Sequence, residues 1–426
     1  MLGLAIVSAI RSLEPRQAII EITIFTALGY LTLFTARLYK AAPEIFIKKL
    51  TYTILAGAVL YMVSFYVGYA TAIAVGKQLT WPYPFFGFSN IRLFQQYQLW
   101  GIGLICLPLL TFDLSAKQHR ALYAALTLWW VLLFYAASRG VTLGWILAML
   151  ATAAFYRKSA WQFLRIQLIS ALGGLIGYLL LFKAIPAWLA SASSTATQAI
   201  VTSTIFRDTT YDRLDLWKAA YVMIKNFPIL GVGPMQFYFY TPFGTHPHNS
   251  VLQFAAEWGL PATLIILAML AYAAKCWLKQ FGPTGLANKS EADKQLAIVL
   301  FFTMIANGAY SLVEGVIVMP ISQILMFTMI GLMIGQYTSG SRYPAKPERL
   351  GKFRFRPIVA GITLLFLTLS VMPELMMGLT SYQRYYAPGD RAFAMAPDTI
   401  NPRIWMQQRR VEPSANKPAE NKKDIN

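Results

Sequence analysis

Charge is what this chain lacks. Of its 426 residues only 13% are charged while 57% are hydrophobic, whereas a soluble domain carries roughly 25% charged residues. A water-soluble globular fold is thereby excluded for most of the chain, and lipid must solvate it instead. Cysteine is almost missing. Cys106 and Cys276 stand far apart, in or beside apolar segments, with no CxxC pair and no metal-ligand spacing, which argues against redox or zinc chemistry. Histidine is limited to three positions, so any imidazole chemistry has few places to reside. Acidic residues number 18 against 37 basic ones, for a net charge of +19. That excess does not point to a nucleic-acid partner, because the basic residues collect in alternate short loops and form no groove with interleaved aromatics.

What is present is a series of long apolar runs. Spans are expected near 18–36, 50–72, 96–112, 120–137, 141–156, 163–183, 261–277, 295–316, 319–337 and 357–373, each close to the length needed to cross a core of roughly 30 Å. The fold class is therefore an all-α polytopic membrane protein with about ten transmembrane helices. Every second loop is basic: Arg37 to Lys49, Lys117 and Arg120, Arg157 to Arg165, Lys275 to Lys294, and Arg342 to Arg356. These loops face the cytoplasm by the positive-inside rule. The chain divides into N-terminal transmembrane helices (1–183), a large periplasmic loop of short interfacial helices (184–260), C-terminal transmembrane helices (261–373) and a polar periplasmic tail (374–426), partly disordered at its Lys/Asn/Glu-rich end. The apolar Met1 to Ile10 is too short to span and lacks the basic start and cleavage site of a signal peptide. It reads either as an interfacial segment or as part of a helix that begins earlier.

The polar residues that are hardest to explain as scaffold lie on the periplasmic side. In the large loop, Arg207-Asp208-Thr-Thr-Tyr211-Asp212-Arg213-Leu-Asp215-Leu-Trp217 opens an amphipathic helix whose stripe is Trp217, Ala220, Tyr221 and Ile224, ending near Asn226. Arg213 there either does chemistry or pairs with a neighbouring aspartate. Gly231-Val-Gly233-Pro234 follows, a turn that needs no ligand. Two of the three histidines come next, in His246-Pro-His248-Asn249-Ser250, directly before a short helix capped by Asn249 or Ser250. That helix carries Glu257 and ends at Gly259-Leu-Pro261. Two histidines one residue apart suggest a metal, but a site would need Asp208, Asp212 and Asp215 to complete it, and no metal is expected. Elsewhere, Arg139 stands at the outer end of a span in Ser138-Arg139-Gly140, and Glu314 stands inside the eighth span, where a carboxylate is costly enough to suggest function. Glu21 is close enough to the end of its span to reach the interface. Arg92, beside Asn90, Gln95, Gln96 and Gln98, adds a further cation.

The run Arg213-Leu-Asp-Leu-Trp217, then Phe227-Pro-Ile-Leu-Gly-Val-Gly-Pro-Met-Gln-Phe237, then His246-Pro-His248-Asn249 through Glu257-Trp-Gly259-Leu-Pro261 resembles the bacterial O-antigen ligase and polymerase superfamily. His248-Asn249 and Gly259 match the ligase motif of that family; Ala262 stands where Gly or Thr is more usual. Ser138-Arg139-Gly140 is similar to the family's Ser-Arg-Gly. Asn90-Ile-Arg92, Gly233-Pro-Met235, Val318-Met-Pro320-Ile-Ser-Gln323 and Asn401-Pro-Arg403-Ile-Trp405 resemble the subgroup that glycosylates proteins, type IV pilins in particular. The family usually has around twelve spans, so this chain is shorter by about two.

The resemblance implies an enzyme of the bacterial inner membrane. It would transfer a preassembled glycan from undecaprenyl pyrophosphate to an acceptor hydroxyl on the periplasmic face, without metal or other cofactor. The acceptor would be a pilin or other periplasmic protein, or alternatively the lipid A core or a growing glycan. A flippase for the lipid-linked glycan is the reading from another class, but a transporter would show broken helices with polar midplane residues in both halves. In the enzyme, His248 would be the catalytic base, with Arg139, Arg213, Arg207 and Arg92 on the donor pyrophosphate. Asn249, Glu257, Glu314, His246 and Trp217 would support them.

Overall fold

The computed structural model describes residues 2–75, 85, 91–192, 210–242 and 244–339. The expected span near 357–373, the tail, Arg207 and Asp208 lie outside these residues. Every regular element among the described residues is helical: α1 (Leu2–Ile10), α2 (Pro15–Ala41), α3 (Pro43–Ala74), α4 (Ile91–Leu104), α5 (Leu107–Thr111), α6 (Ala116–Ala136), α7 (Arg139–Tyr156), α8 (Trp161–Leu179), α9 (Ile185–Ala192), α10 (Thr210–Asn226), α11 (Ser250–Phe281), α12 (Glu291–Tyr310) and α13 (Pro320–Ser339), with short 3-10 and π turns between some of them. This is an all-α polytopic membrane protein. Large apolar side chains such as Leu60, Leu150, Leu172, Leu264 and Met269 are exposed along the long helices, the surface that lipid solvates.

Five helical runs among the described residues are long and apolar enough to cross a membrane: Pro15–Ala41, Pro43–Ala74, Arg139–Trp188, Ser250–Phe281 and Pro320–Ser339. The third contains two of the expected spans, since Arg157, at φ 50°, ends α7 before a 3-10 turn leads into α8. The other expected spans fall on α4 with α5, on α6 and on α12. Of these, α4 is rich in glutamine and stops at Leu104, while α6 and α12 open on Ala-Lys-Gln-His-Arg and Glu-Ala-Asp-Lys-Gln. The shortness of α4 and α5, and the polar ends of α6 and α12, keep them outside the five.

Close helix pairs form where the sequence removes side chains. Gly331 and Gly335 turn α13 onto α2, and a Cβ at Gly331 would lie 2.6 Å from the Thr32 carbonyl oxygen. Gly140 and Gly144 do the same for α7 on α12, where a Cβ at Gly144 would lie 2.6 Å from the Ala306 carbonyl oxygen. Gly173, Gly174 and Gly177 set α8 against Thr127, Trp130 and Val131 of α6. In a lipid environment, association rests on such dispersion contact between backbones rather than on hydrophobic burial. The core sits around α12, whose residues Leu296 to Leu300, Phe302, Thr303, Ala306 and Asn307 are all buried. Glu21 is buried on α2. Residues 2–10 form a helix whose Ala5 and Ala9 pack with Ala18, Ile22 and Trp258, and the Ser8 hydroxyl donates to the Leu230 carbonyl at 2.6 Å.

Gly174→Leu should drive α8 off α6 and lower the unfolding temperature of the detergent-solubilised protein, since overpacking of this kind costs about 1–3 kcal/mol or more. Gly29→Leu, at a glycine with nothing within 4 Å of its Cβ position, should leave that temperature unchanged. Equal thermal shifts for both variants would refute the pairing.

Candidate active site

The loop between α10 and α11 is shaped by a break in α11. Proline has no N–H, so Pro261 cannot donate to the Glu257 carbonyl one turn earlier. Gly259 takes φ 80° and ψ 164° at that point, a conformation that favours glycine. The carbonyls freed by the break are taken by the glycine-proline turn. The Val232 N–H donates to Ala256 O at 2.9 Å and the Gly233 N–H to Glu257 O at 3.0 Å, while the Leu260 N–H turns back to Pro228 O at 2.8 Å. The buried Glu257 side chain also accepts the Phe237 N–H at 2.9 Å. Glu257 therefore supports the loop through this bond. Helix α10 lies on this platform through Leu216, Ala220 and Met223. Its buried stripe is rotated from the expected Trp217, Ala220, Tyr221 and Ile224, because the loop and not the bilayer covers it; Tyr221 is exposed.

Trp217 has a polar task instead: its indole N–H donates to the Pro247 carbonyl at 2.9 Å, between the two histidines. Asn249 is the N-cap of α11. Its Oδ1 accepts from the N–H groups of Val251 and Leu252 at 3.0 Å, and its amide donates to the Leu312 carbonyl at 3.0 Å. The Ser250 N–H donates to Ser311 O at 2.8 Å. These bonds latch the start of α11 to the turn that follows α12. His248, just before the cap, has φ 52°, a left-handed backbone rare for a side-chain-bearing residue, which costs about 1–3 kcal/mol and recurs at functional positions.

The latched turn carries Glu314. The expected placement within the eighth span is corrected here, since α12 ends at Tyr310 and Glu314 lies in the turn beyond it. Its side chain is only 3% exposed and gathers three partners: His248 Nδ1 at 2.5 Å from Oε1, Arg213 Nη2 at 3.6 Å and Arg92 Nε at 3.8 Å from Oε2. Arg213 thus meets a carboxylate far away in sequence, while Asp215 pairs with Lys218 at 3.3 Å. Burial alone would raise the Glu314 pKa. The charge and hydrogen bond of His248, with the charges of Arg92 and His246, outweigh burial and bring it down to about 2. An ionised carboxylate only accepts, so Nδ1 of His248 donates to it and Nε2 is the ring nitrogen left for another partner.

His246 is buried, with Nδ1 3.0 Å from the Thr245 hydroxyl. Its ring lies 4.2 Å from that of His248 and fills the space where Gly315 has no side chain. Arg139 opens α7 as an exposed residue, behind a cap in which Ser138 Oγ accepts the Val141 N–H at 3.3 Å. The next residue, Gly140, rests on Tyr310 and Val313, which puts the start of α7 beside the Glu314 turn. Tyr310 and Thr245 were not singled out from the sequence. The signal for Thr245 was its place beside His246; Tyr310 ends α12. Among the described residues, His246, His248 and Glu314 form a group whose ligand atoms lie within 4.8 Å of one another, so a metal at this site would have Glu314 as a ligand.

A family model for the O-antigen ligase family matches residues 122–267, from α6 into α11, including Arg139, Arg213 and both histidines. Glu314 and Arg92 lie outside the match. Comparison with curated proteins finds no match.

Because the pKa of Glu314 is depressed, its stabilising effect is present above its ordinary value of 4.5 and is lost as pH falls toward about 2. Glu314→Gln should therefore lower the unfolding temperature at pH 7, and the gap from wild type should narrow as the pH drops below about 4.5. A gap that is constant or widens on acidification would contradict the pairing.

Proposed function

We propose that this chain, a member of the O-antigen ligase superfamily, transfers a preassembled glycan from undecaprenyl pyrophosphate to an acceptor hydroxyl on the periplasmic side of the inner membrane. The acceptor in this reading is a pilin or other periplasmic protein. The observation that carries the reading is the Glu314 cluster, which sets an oriented imidazole beside two guanidinium groups. Glycan transfer from a lipid pyrophosphate needs both.

The acceptor hydroxyl is a weak nucleophile. Nε2 of His248 takes its proton as the acceptor oxygen bonds to the anomeric carbon, and Glu314 holds the ring and stabilises the imidazolium formed. The bond from that carbon to the pyrophosphate oxygen breaks, and the electron pair leaves with undecaprenyl pyrophosphate. Arg213 and Arg92, 30% and 38% exposed at the side chain, each meet Glu314 at long range and stabilise the charge on the departing phosphates. Arg139, and Arg207 by its place in the sequence, complete the donor subsite. Two guanidiniums already neutralise the carboxylate that a metal would need, which supports metal-independent chemistry. The family's description as O-antigen ligase favours a second reading in which the acceptor is a sugar of the lipid A core. Deleting the gene and comparing pilin with lipopolysaccharide on gels separates the two.

His248→Ala should retain donor binding and lose about 10²–10⁴-fold in transfer rate, with His246→Ala milder; equal rates for His248→Ala and wild type at matched expression would remove the base. Arg139→Lys and Arg213→Lys should accumulate normally yet transfer poorly with weakened donor binding, because lysine keeps the charge and loses the bidentate fork. Wild-type transfer by both would place them outside the donor subsite. Purified enzyme should keep its activity in excess EDTA. Loss of activity that added Mg²⁺ or Mn²⁺ restores would make His246, His248 and Glu314 metal ligands and overturn this mechanism.

A further inference from the structure

At the opposite end of α12 from Glu314, a cavity of about 680 Å³ opens among the ends of α2, α3, α5, α11, α12 and α13. Helix α12 has 20 residues, and a rise of 1.5 Å per residue separates its ends by about 30 Å. That is about the thickness of the hydrocarbon core, so the cavity lies at the headgroup layer of the face opposite the candidate active site. Leu107, Phe112 and Leu296 line it. Ile45 lines it too and is exposed, which continues the cavity onto lipid-facing surface.

Four charged side chains stand in the same wall: Lys48, Lys289, Glu44 and Asp293. Each lysine is held against a ring that also lines the cavity, Lys289 Nζ 4.7 Å from the Phe281 centroid and Lys48 Nζ 5.7 Å from that of Phe112. Asp293 is held as well, accepting from the Ser290 hydroxyl at 2.7 Å and from the Tyr39 hydroxyl at 3.3 Å. Glu44 lies in the first turn of α3. The wall thus offers two ammonium groups and two carboxylates with no net charge. A simple anion gains little there, since the carboxylates offset the lysines. A headgroup that carries a phosphate and an ammonium satisfies both signs, while its acyl chains follow the apolar wall into the bilayer.

We infer that this cavity binds a phospholipid with a phosphoethanolamine headgroup, its phosphate on Lys48 and Lys289 and its ammonium on Glu44 and Asp293. The test uses the full-length protein, stripped of lipid in detergent and titrated with dioleoyl phosphatidylethanolamine, phosphatidylcholine or phosphatidylglycerol in mixed micelles. Native mass spectrometry reads retention and thermal unfolding reads stabilisation. Phosphatidylethanolamine should raise the unfolding temperature and be retained about tenfold more tightly than the other two. Phosphatidylcholine has no N–H on its ammonium, and phosphatidylglycerol has no ammonium. Lys289→Ala and Glu44→Gln should each weaken retention of phosphatidylethanolamine severalfold, and Glu44→Gln should improve retention of phosphatidylglycerol. Equal retention of the three lipids, or retention of phosphatidylethanolamine unchanged in both variants, would overturn the assignment. A preference for phosphatidylglycerol would replace it with a site for anionic headgroups, and no shift with any lipid would overturn it outright.

Discussion

A carboxylate that is buried in a membrane protein must be compensated, and Glu314 is compensated by groups from three other parts of the chain. His248 comes from the loop before α11, Arg213 from α10, Arg92 from α4, and the carboxylate itself from the turn after α12. Removing the carboxylate would leave two guanidiniums close together without their shared counter-ion, and the ring of His248 without its orienting partner. The arrangement of these elements therefore answers to one charge. The same charge orients the ring of His248, so the packing of this end of the protein and the proposed chemistry share one origin.

The cluster stands on a platform built from a defect. The missing N–H of Pro261 and the permissive backbone of Gly259 interrupt α11, and the turn at 231–233 takes up the carbonyls that the interruption frees. Without that docking, buried carbonyls would lack donors, at a cost of about 1–3 kcal/mol each. Asn249 then serves both as helix cap and as latch to Leu312, so the start of α11 cannot shift without losing three hydrogen bonds. Trp217 fixes the carbonyl between the histidines. The strained φ of His248 persists because every neighbour in sequence is tied down.

Helix α12 connects the two ends of the molecule. Its Ser290 cap and Asp293 belong to a mixed-charge cavity at one face, and its C-terminal turn carries Glu314 at the other. Its middle is buried against α7, where glycines admit the Ala306 and Tyr310 backbone and ring. A central helix with no charged residue after Lys294 suits a bilayer, in which a charge at mid-depth is expensive.

Much of this was legible in the order of residues alone. Hydropathy and length identified helices at nine of the ten expected spans, the tenth lying outside the described residues, because crossing a bilayer demands long apolar runs that local sequence records directly. His248-Asn249 before Val251 read as a capped start, and Gly259-Leu-Pro261 as a break, because capping and proline act within one turn. Arg92, Arg139, Arg213 and Glu314 stood out because charge is rare in such a chain. What sequence did not decide was partnership. Glu314 lies 66 residues from His248 and about a hundred from Arg213 in a chain where local aspartates offered nearer, equally plausible partners. Glu257 and Glu314 looked alike, yet one accepts a backbone N–H and the other holds the histidine. Local sequence determines which segments are helical and where they stop, since those are contests between neighbouring dihedral angles and hydrogen bonds. Which carboxylate meets which cation depends on how the helices pack, and only the tertiary structure, through glycine-lined contacts and the docked break in α11, decided that.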